Sequence, residues 1–435
     1  MAPRKFHLGW FSNFALDEWL DPLSSAGGAP WDGEFYVELA QTLERACFDY
    51  LLLEDSLMVP DVYGGSTKVY LKEGIHVPKH DPAPLAAVIG SRTQHLGIVA
   101  TLSTLAYPPF LLARLCATIG HIARGRFGWN IVTSGENLSA QNFGLDKIPD
   151  HDRRYEMADE YMEVVNRLLL SWDRDAVVLD RTTQTYADYA KVRPINFVGK
   201  YYKSRGPLNT APLPHGRPAY IQAGGSPAGR DFAAKHADSV ITRANGVKAM
   251  KAFRDDIRTR ALKFGRNPDG IKVLFLVAPV LGATEAEARA NDQMGRSSHR
   301  SQEQVLAFHS ALSEIDLAQF DLDEPLPELT TNASTATLAS FAQFGSGKTL
   351  RQLAMEGSRG GPIDAVGTPD QIADRMEVAM DQVGGDGFLI QHPFHHVSRR
   401  AVLDVTEGLV PVLQRRGLVR TEYTRRCLRE TLLEF

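Results

Sequence analysis

The chain has 435 residues, of which 43% are hydrophobic and 23% charged, and its formal net charge is −4. This is the balance of a soluble globular protein. It excludes a disordered chain, a fibrous repeat, and a nucleic-acid or membrane binder held by bulk charge. No apolar run approaches the ~18 residues of a membrane span, and MAPRKFHLGWF lacks the apolar core of a secretion signal, so a cytoplasmic location is expected.

Short apolar runs recur along the chain, each followed by a segment of helical period. They are Lys5–Trp10, Tyr50–Glu54, Leu96–Leu102, Phe127–Thr133, Ala219–Ala223, Ser239–Thr242, Lys272–Ala278 and Gly387–Gln391. Such near-continuous runs suit strands buried on both faces, as in a parallel sheet. Between them lie stripes at i, i+3, i+4 spacing. Tyr36, Leu39, Leu43, Ala46 and Cys47 form one; Ala158, Met162, Val165, Leu168, Leu169 and Trp172 form another. Eight alternations predict a single-domain (β/α)8 TIM barrel, with an open doubly wound sheet as the rival.

Three segments interrupt the repeat, at about 58–82, 173–217 and 287–363. The second contains INFVGKYYKSRGPLN, which reads as an added hairpin. All three are expected to cap the C-terminal rim of the barrel, where catalytic lids usually form. Cys47, Cys116 and Cys427 are too few and too widely spaced for a disulfide frame or a zinc motif. Cys47 and Cys116 are read as core, and the basic cluster Arg415, Arg416, Arg420, Arg425 and Arg426 as a solvated tail.

Two nucleotide-like strings fail on their spacing. FGSGKT at Phe344–Thr349 has Ala342 where a P-loop needs its first glycine, and Gly224–Gly229 has Ser226 at the middle position of a dinucleotide fingerprint. His392, His395 and His396 lack the companion ligands of a metal site, so none is assigned. The chemistry is instead expected at strand ends, because barrel active sites are built there. Gly224-Gly225-Ser226 follows the fifth strand and opens a helix near Ala228. That fits either a phosphate at a helix N-terminus or a plain tight turn. Asp55 follows four hydrophobic residues and Glu54; buried there, it needs a partner, which a helix cap or a ligand could supply.

Several longer strings carry a resemblance to a family. They include FDYLLLEDS at Phe48–Ser56, GRFGWNIVTS at Gly125–Ser134, QNFG at Gln141–Gly144, HDRRYEMADEYMEV at His151–Val164 and QAGGSPAGRDFAAKHAD at Gln222–Asp238. GTPDQIAD at Gly367–Asp374 and VPVLQRRGLVRTEY at Val410–Tyr423 complete the set. Together they resemble the FMN-dependent monooxygenases of the bacterial-luciferase superfamily, in the group of nitrilotriacetate, dibenzothiophene-sulfone and long-chain alkane monooxygenases. The resemblance implies FMN, delivered as FMNH2 by a separate NAD(P)H:flavin reductase, and O2 as co-substrate reacting through a flavin peroxide. It further implies that Asp55, Thr101, Ser134 and Tyr155 contact the flavin while Gly225 and Ser226 hold its phosphate.

Aligning on Ile315-Asp316-Leu317 puts Leu312 where alkane and sulfone relatives carry a proposed catalytic histidine, with His309 three residues away. Gly135 likewise replaces a histidine of the alkane enzyme, which places the chain nearer the nitrilotriacetate branch. His392 and His309 are the candidate acid–base groups, with His392 preferred. Phe11, Gln391 and Phe394 are the candidate substrate contacts. The expected reaction oxygenates a small or medium organic molecule, with C–N or C–S cleavage, in a homodimer or homotetramer. The rivals are an F420-dependent oxidoreductase and a non-catalytic flavin-binding barrel.

Overall fold

The computed structural model describes residues 4–12, 33–297, 299–327, 329–333, 348–356, 361–393 and 398–435. Eight parallel strands close a barrel: β1 (His7–Ser12), β2 (Tyr50–Leu53), β3 (Gly97–Ser103), β4 (Phe127–Val132), β5 (Ala219–Gln222), β6 (Ser239–Thr242), β7 (Lys272–Val277) and β8 (Gly387–Gln391). Every predicted run becomes a strand within two residues at either end. Pairing of β1 with β8, which sets Phe11 opposite Gln391, rules out the open sheet.

The period of two divides each strand between two cores. Tyr50, Leu52, Val99, Ile221, Ile241 and Leu389 fill the lumen. The alternate residues, among them Trp10, Leu51, Leu53, Ile98 and Trp129, pack outwards against the helices. Those helices are α1 (Glu34–Arg45), α2 (Pro82–Arg92), α3 (Pro109–Ile122), α4 (His151–Leu169), α5 (Pro227–His236), α6 (Gly246–Lys263) and α7 (Pro369–Val383). The two predicted stripes are buried on α1 and α4. Their last members overshoot, since α1 ends at Arg45 and Cys47 adopts φ 63° in the turn beyond it. Cys47 is consequently half-buried and not core, whereas Cys116 on α3 is fully enclosed. No described helix is long and apolar enough to cross a membrane.

Chain direction sorts the three insertions. Segment 58–82 joins β2 to α2, and 287–363 lies between β7 and α7, so both leave from the C-terminal ends of strands. They pack on each other: the Tyr70 hydroxyl donates to the Ala307 carbonyl at 3.1 Å, and Asp316 accepts from the Gly64 N–H at 2.9 Å. Glu314 ties the third segment to the loop after β4 by accepting from Asn137 Nδ2 at 2.6 Å. Segment 173–217 is different. It joins α4 to β5, a helix-to-strand connection, and therefore starts and ends at the N-terminal face. Its hairpin Phe197–Val198 with Lys203–Ser204 lies along α4, where Glu160 accepts the Tyr201 and Tyr202 N–H groups. The expectation that it caps the rim is corrected on that ground.

The basic cluster is solvated only in part: Arg415, Arg425 and Arg426 are exposed, but the segment that carries them packs into the barrel. Leu428 and Leu432 join the lumen core from below. Arg420 is buried and binds Asp49 and Glu434, each at 2.6 Å, while Asp49 also holds His7 at 2.9 Å. Deleting one member of a buried charge cluster strands the others. Arg420→Ala is therefore expected to cost about 3–5 kcal/mol, read as a lowered midpoint of chemical denaturation.

Candidate active site

Polar side chains gather where β2 to β5 end. After β2 come two adjacent carboxyls with opposite fates. Burial works against charge on Glu54, but Lys79 at 2.7 Å and His76 at 3.7 Å outweigh it, and the group falls to about 2. Asp55 is pushed by burial up to about 7; Lys79 opposes this, while Glu54 and Asp81 add repulsion. One carboxylate is thus permanently charged, and its neighbour changes protonation near neutrality.

The sign of that shift has a consequence for stability. Unfolded Asp55 loses its proton near its ordinary value of 3.8, but folded Asp55 keeps it to about 7. Stability is therefore lost as pH rises between those values. Asp55→Asn should remove that loss, raising stability at pH 8 by roughly a few kcal/mol over its effect at pH 4. Melting temperatures of ligand-free protein across this range would show it, and a pH-independent difference would count against it.

No sequence motif marks His76 or Lys79. Their one signal was that segment 58–82 is rich in Pro, Gly and His. The His76 ring stacks on Phe308 of the helix His299–Ser313, with centroids 4.8 Å apart and planes 11° apart. This contact sets the third insertion over the end of β2. His309 follows Phe308 and is half-buried.

Thr101 on β3 accepts from Asn130 Nδ2 on β4 at 2.9 Å. Ser103 and Ser134 share a hydrogen bond of 2.7 Å, with Ser134 in the left-handed region at φ 56°. After β5, Ser226 stands at the N-cap of α5 and accepts from the Gly229 N–H at 3.1 Å. Burial raises the Tyr155 hydroxyl, while hydrogen bonds with Ser226, Thr133 and Gln222 oppose it. Tyr155 and Ser226 are thereby brought together. Arg230, which sequence reading missed, donates to the Gly225 carbonyl at 2.9 Å.

Two buried acceptors here, Gln222 Oε1 and Asn130 Oδ1, have no hydrogen-bond partner among the described residues. A Cβ on Gly224 would fall 2.5 Å from Gln222 Oε1 and 2.9 Å from the Gly229 carbonyl carbon, so only glycine fits. Unsatisfied buried groups beside a side-chain-free turn suit a bound polar molecule, and the N-terminus of α5 suits an anionic part of it.

Phe11 and Gln391 are register partners at the ends of β1 and β8, and both are partly exposed. Phe11 packs with the lumen core. His392 is 2% exposed, and its ring meets Trp10 edge-on at 5.0 Å. Since Trp10 faces the helices, His392 lies on that side, and the barrel mouth between β1 and β8 is lined by Phe11 and Gln391. Phe394 lies outside the described residues.

The model of the luciferase-like monooxygenase family matches residues 7–387. The chain belongs to that family. A dimethyl-sulfide monooxygenase of Hyphomicrobium sulfonivorans is 36% identical over 98% of this chain and 89% of its own length. Nitrilotriacetate monooxygenase component A of Aminobacter aminovorans is also 36% identical, over 92% of this chain and 90% of its own. A long-chain alkane monooxygenase of Geobacillus thermodenitrificans stands at the same 36%, so identity does not place the chain nearer the nitrilotriacetate branch. A crystal structure of a riboflavin lyase, with modified FMN and riboflavin, superposes with a TM-score of 0.89 at 31% identity, covering 99% of this chain and 96% of that one.

Proposed function

We propose that this luciferase-like monooxygenase is the oxygenase half of a two-component system. It takes FMNH2 from a separate NAD(P)H:flavin reductase and uses O2 to oxygenate a small or medium organic molecule, with C–N or C–S cleavage. The observation that carries this reading is the turn Gly224-Gly225-Ser226 at the start of α5, with Tyr155 and the buried Gln222 amide beside it. It offers one phosphate site and no adenosine-binding motif. Relatives named for FMN, for a "component A" and for an organic sulfide support the same assignment.

Bound there, the flavin would supply the electrons and the oxygen-activating chemistry. Ser226 and Gly225 would hold its phosphate, and Asp55, Thr101, Ser134 and Tyr155 would orient the rest. Asp55 can hold or release a proton near neutral pH, the range in which a general acid or base works best. Phe11, Gln391 and Phe394 would contact the substrate. The two packed insertions would exclude water from the reacting atoms.

Anaerobic calorimetry is expected to show FMNH2 bound more tightly than oxidised FMN; preferred binding of FAD or F420 would overturn the cofactor assignment. Purified protein with a generic flavin reductase would then be screened against thioethers, sulfones, aminopolycarboxylates and riboflavin. Consumption of FMNH2 without product from any class would leave a flavin-binding barrel as the better description.

A further inference from the structure

We propose that His215, Cys427 and Glu430 form a divalent-metal site, zinc by its donor set, at the N-terminal end of the barrel. Their ligand atoms lie within 4.8 Å of one another, with His215 Nδ1 and Glu430 Oε1 3.9 Å apart. Ligands of a tetrahedral zinc at bond lengths of about 2.0–2.3 Å stand roughly 3.3–3.7 Å apart. Closing by about 1 Å would complete three corners, and water would take the fourth.

The chemistry is also selective. A thiolate and a carboxylate cancel the charge of a divalent ion, and sulfur with imidazole favours zinc over magnesium or calcium. No spacing motif announces the site, because its ligands come from the loop before β5 and from the C-terminal segment.

Packing holds the ligands together before any metal arrives. Gly125, at φ 85°, lies under both side chains: a Cβ there would come 2.7 Å from His215 Cδ2 and 3.1 Å from Cys427 Cβ. The Leu428 N–H donates to the Gly125 carbonyl at 3.3 Å. Cys427 is 2% exposed, whereas Glu430 reaches solvent and gives an ion its way in. Leu428 and Leu432 on the same segment close the lumen from below. A metal here would staple that floor to the loop before β5. It lies at the opposite end of the barrel from the flavin cradle and does not depend on the function proposed above.

The test uses the full chain, stripped with a chelator and titrated with Co2+ and with Zn2+. One equivalent of Co2+ should bind with a thiolate-to-cobalt charge-transfer band and four-coordinate d–d bands. Zn2+ should raise the melting temperature. Cys427→Ser is a clean variant, because the residue precedes the short helix Leu428–Leu432, where serine is a good cap. It should fold, lose the charge-transfer band, and bind Zn2+ at least about 100-fold more weakly, the upper end of what even an outer-shell partner contributes. His215→Gln should weaken binding similarly. No charge-transfer band in the wild type, or undiminished zinc affinity in Cys427→Ser, would overturn the proposal and leave Cys427 as a helix cap.

Discussion

Ser226→Asp is expected to weaken FMNH2 binding by well over tenfold while the fold survives. Ser226 caps α5 through the Gly229 N–H, and aspartate is as good a cap as serine, so the helix keeps its start. What changes is charge. A carboxylate some 4 Å from a phosphate repels it by about 4 kcal/mol per pair of unit charges at an effective dielectric of 20. Each 1.4 kcal/mol is tenfold in affinity, so the loss should reach on the order of 100-fold even after solvent screening. Ser226→Asn keeps the cap without the charge and should lose far less. Equal FMNH2 affinity for wild type and Ser226→Asp, measured anaerobically, would put the phosphate elsewhere in the barrel.

That the Ser226 turn could be found from sequence has a physical cause. A strand buried on both faces is a continuous apolar run, so its end, and the small residues that start the next helix, can be read directly. The eight strands were legible for the same reason. Side chains placed by packing between distant segments were not. His76 and Lys79 reach the candidate site only because the loop after β2 folds back onto Glu54 and is clamped by Phe308. Arg420 looks like one of several exposed arginines until Asp49 and Glu434 enclose it. The position of 173–217 is set by the direction of its connection, helix to strand, which length and composition do not encode. His392 shows the limit of counting along a strand: one residue beyond Gln391, the alternation takes its ring to Trp10 on the helix-facing side.

That geometry shifts the acid–base proposal towards the lid. His309→Ala is expected to lower product formed per FMNH2 consumed by about 10²–10⁴-fold, the usual contribution of a general acid or base, with hydrogen peroxide released instead. His309 and Leu312 lie three residues apart on the helix His299–Ser313, so they share one face and are offset by only about 4.5 Å along the axis. A histidine one turn earlier can therefore reach the region that the resemblance assigns to an insertion histidine. Phe308, the residue before it, stacks on His76, which in turn approaches Glu54 at 3.7 Å. The third insertion is thus anchored over the strand end that also carries Asp55. His392, held on Trp10, is expected to shape the pocket wall, and His392→Ala should remain coupled with at most a raised KM. Both variants need a substrate taken from the reductase-coupled screen, and FMNH2 affinity should be checked in each to separate binding from chemistry. Loss of coupling in His392→Ala with His309→Ala still forming product would return the role to the end of β8.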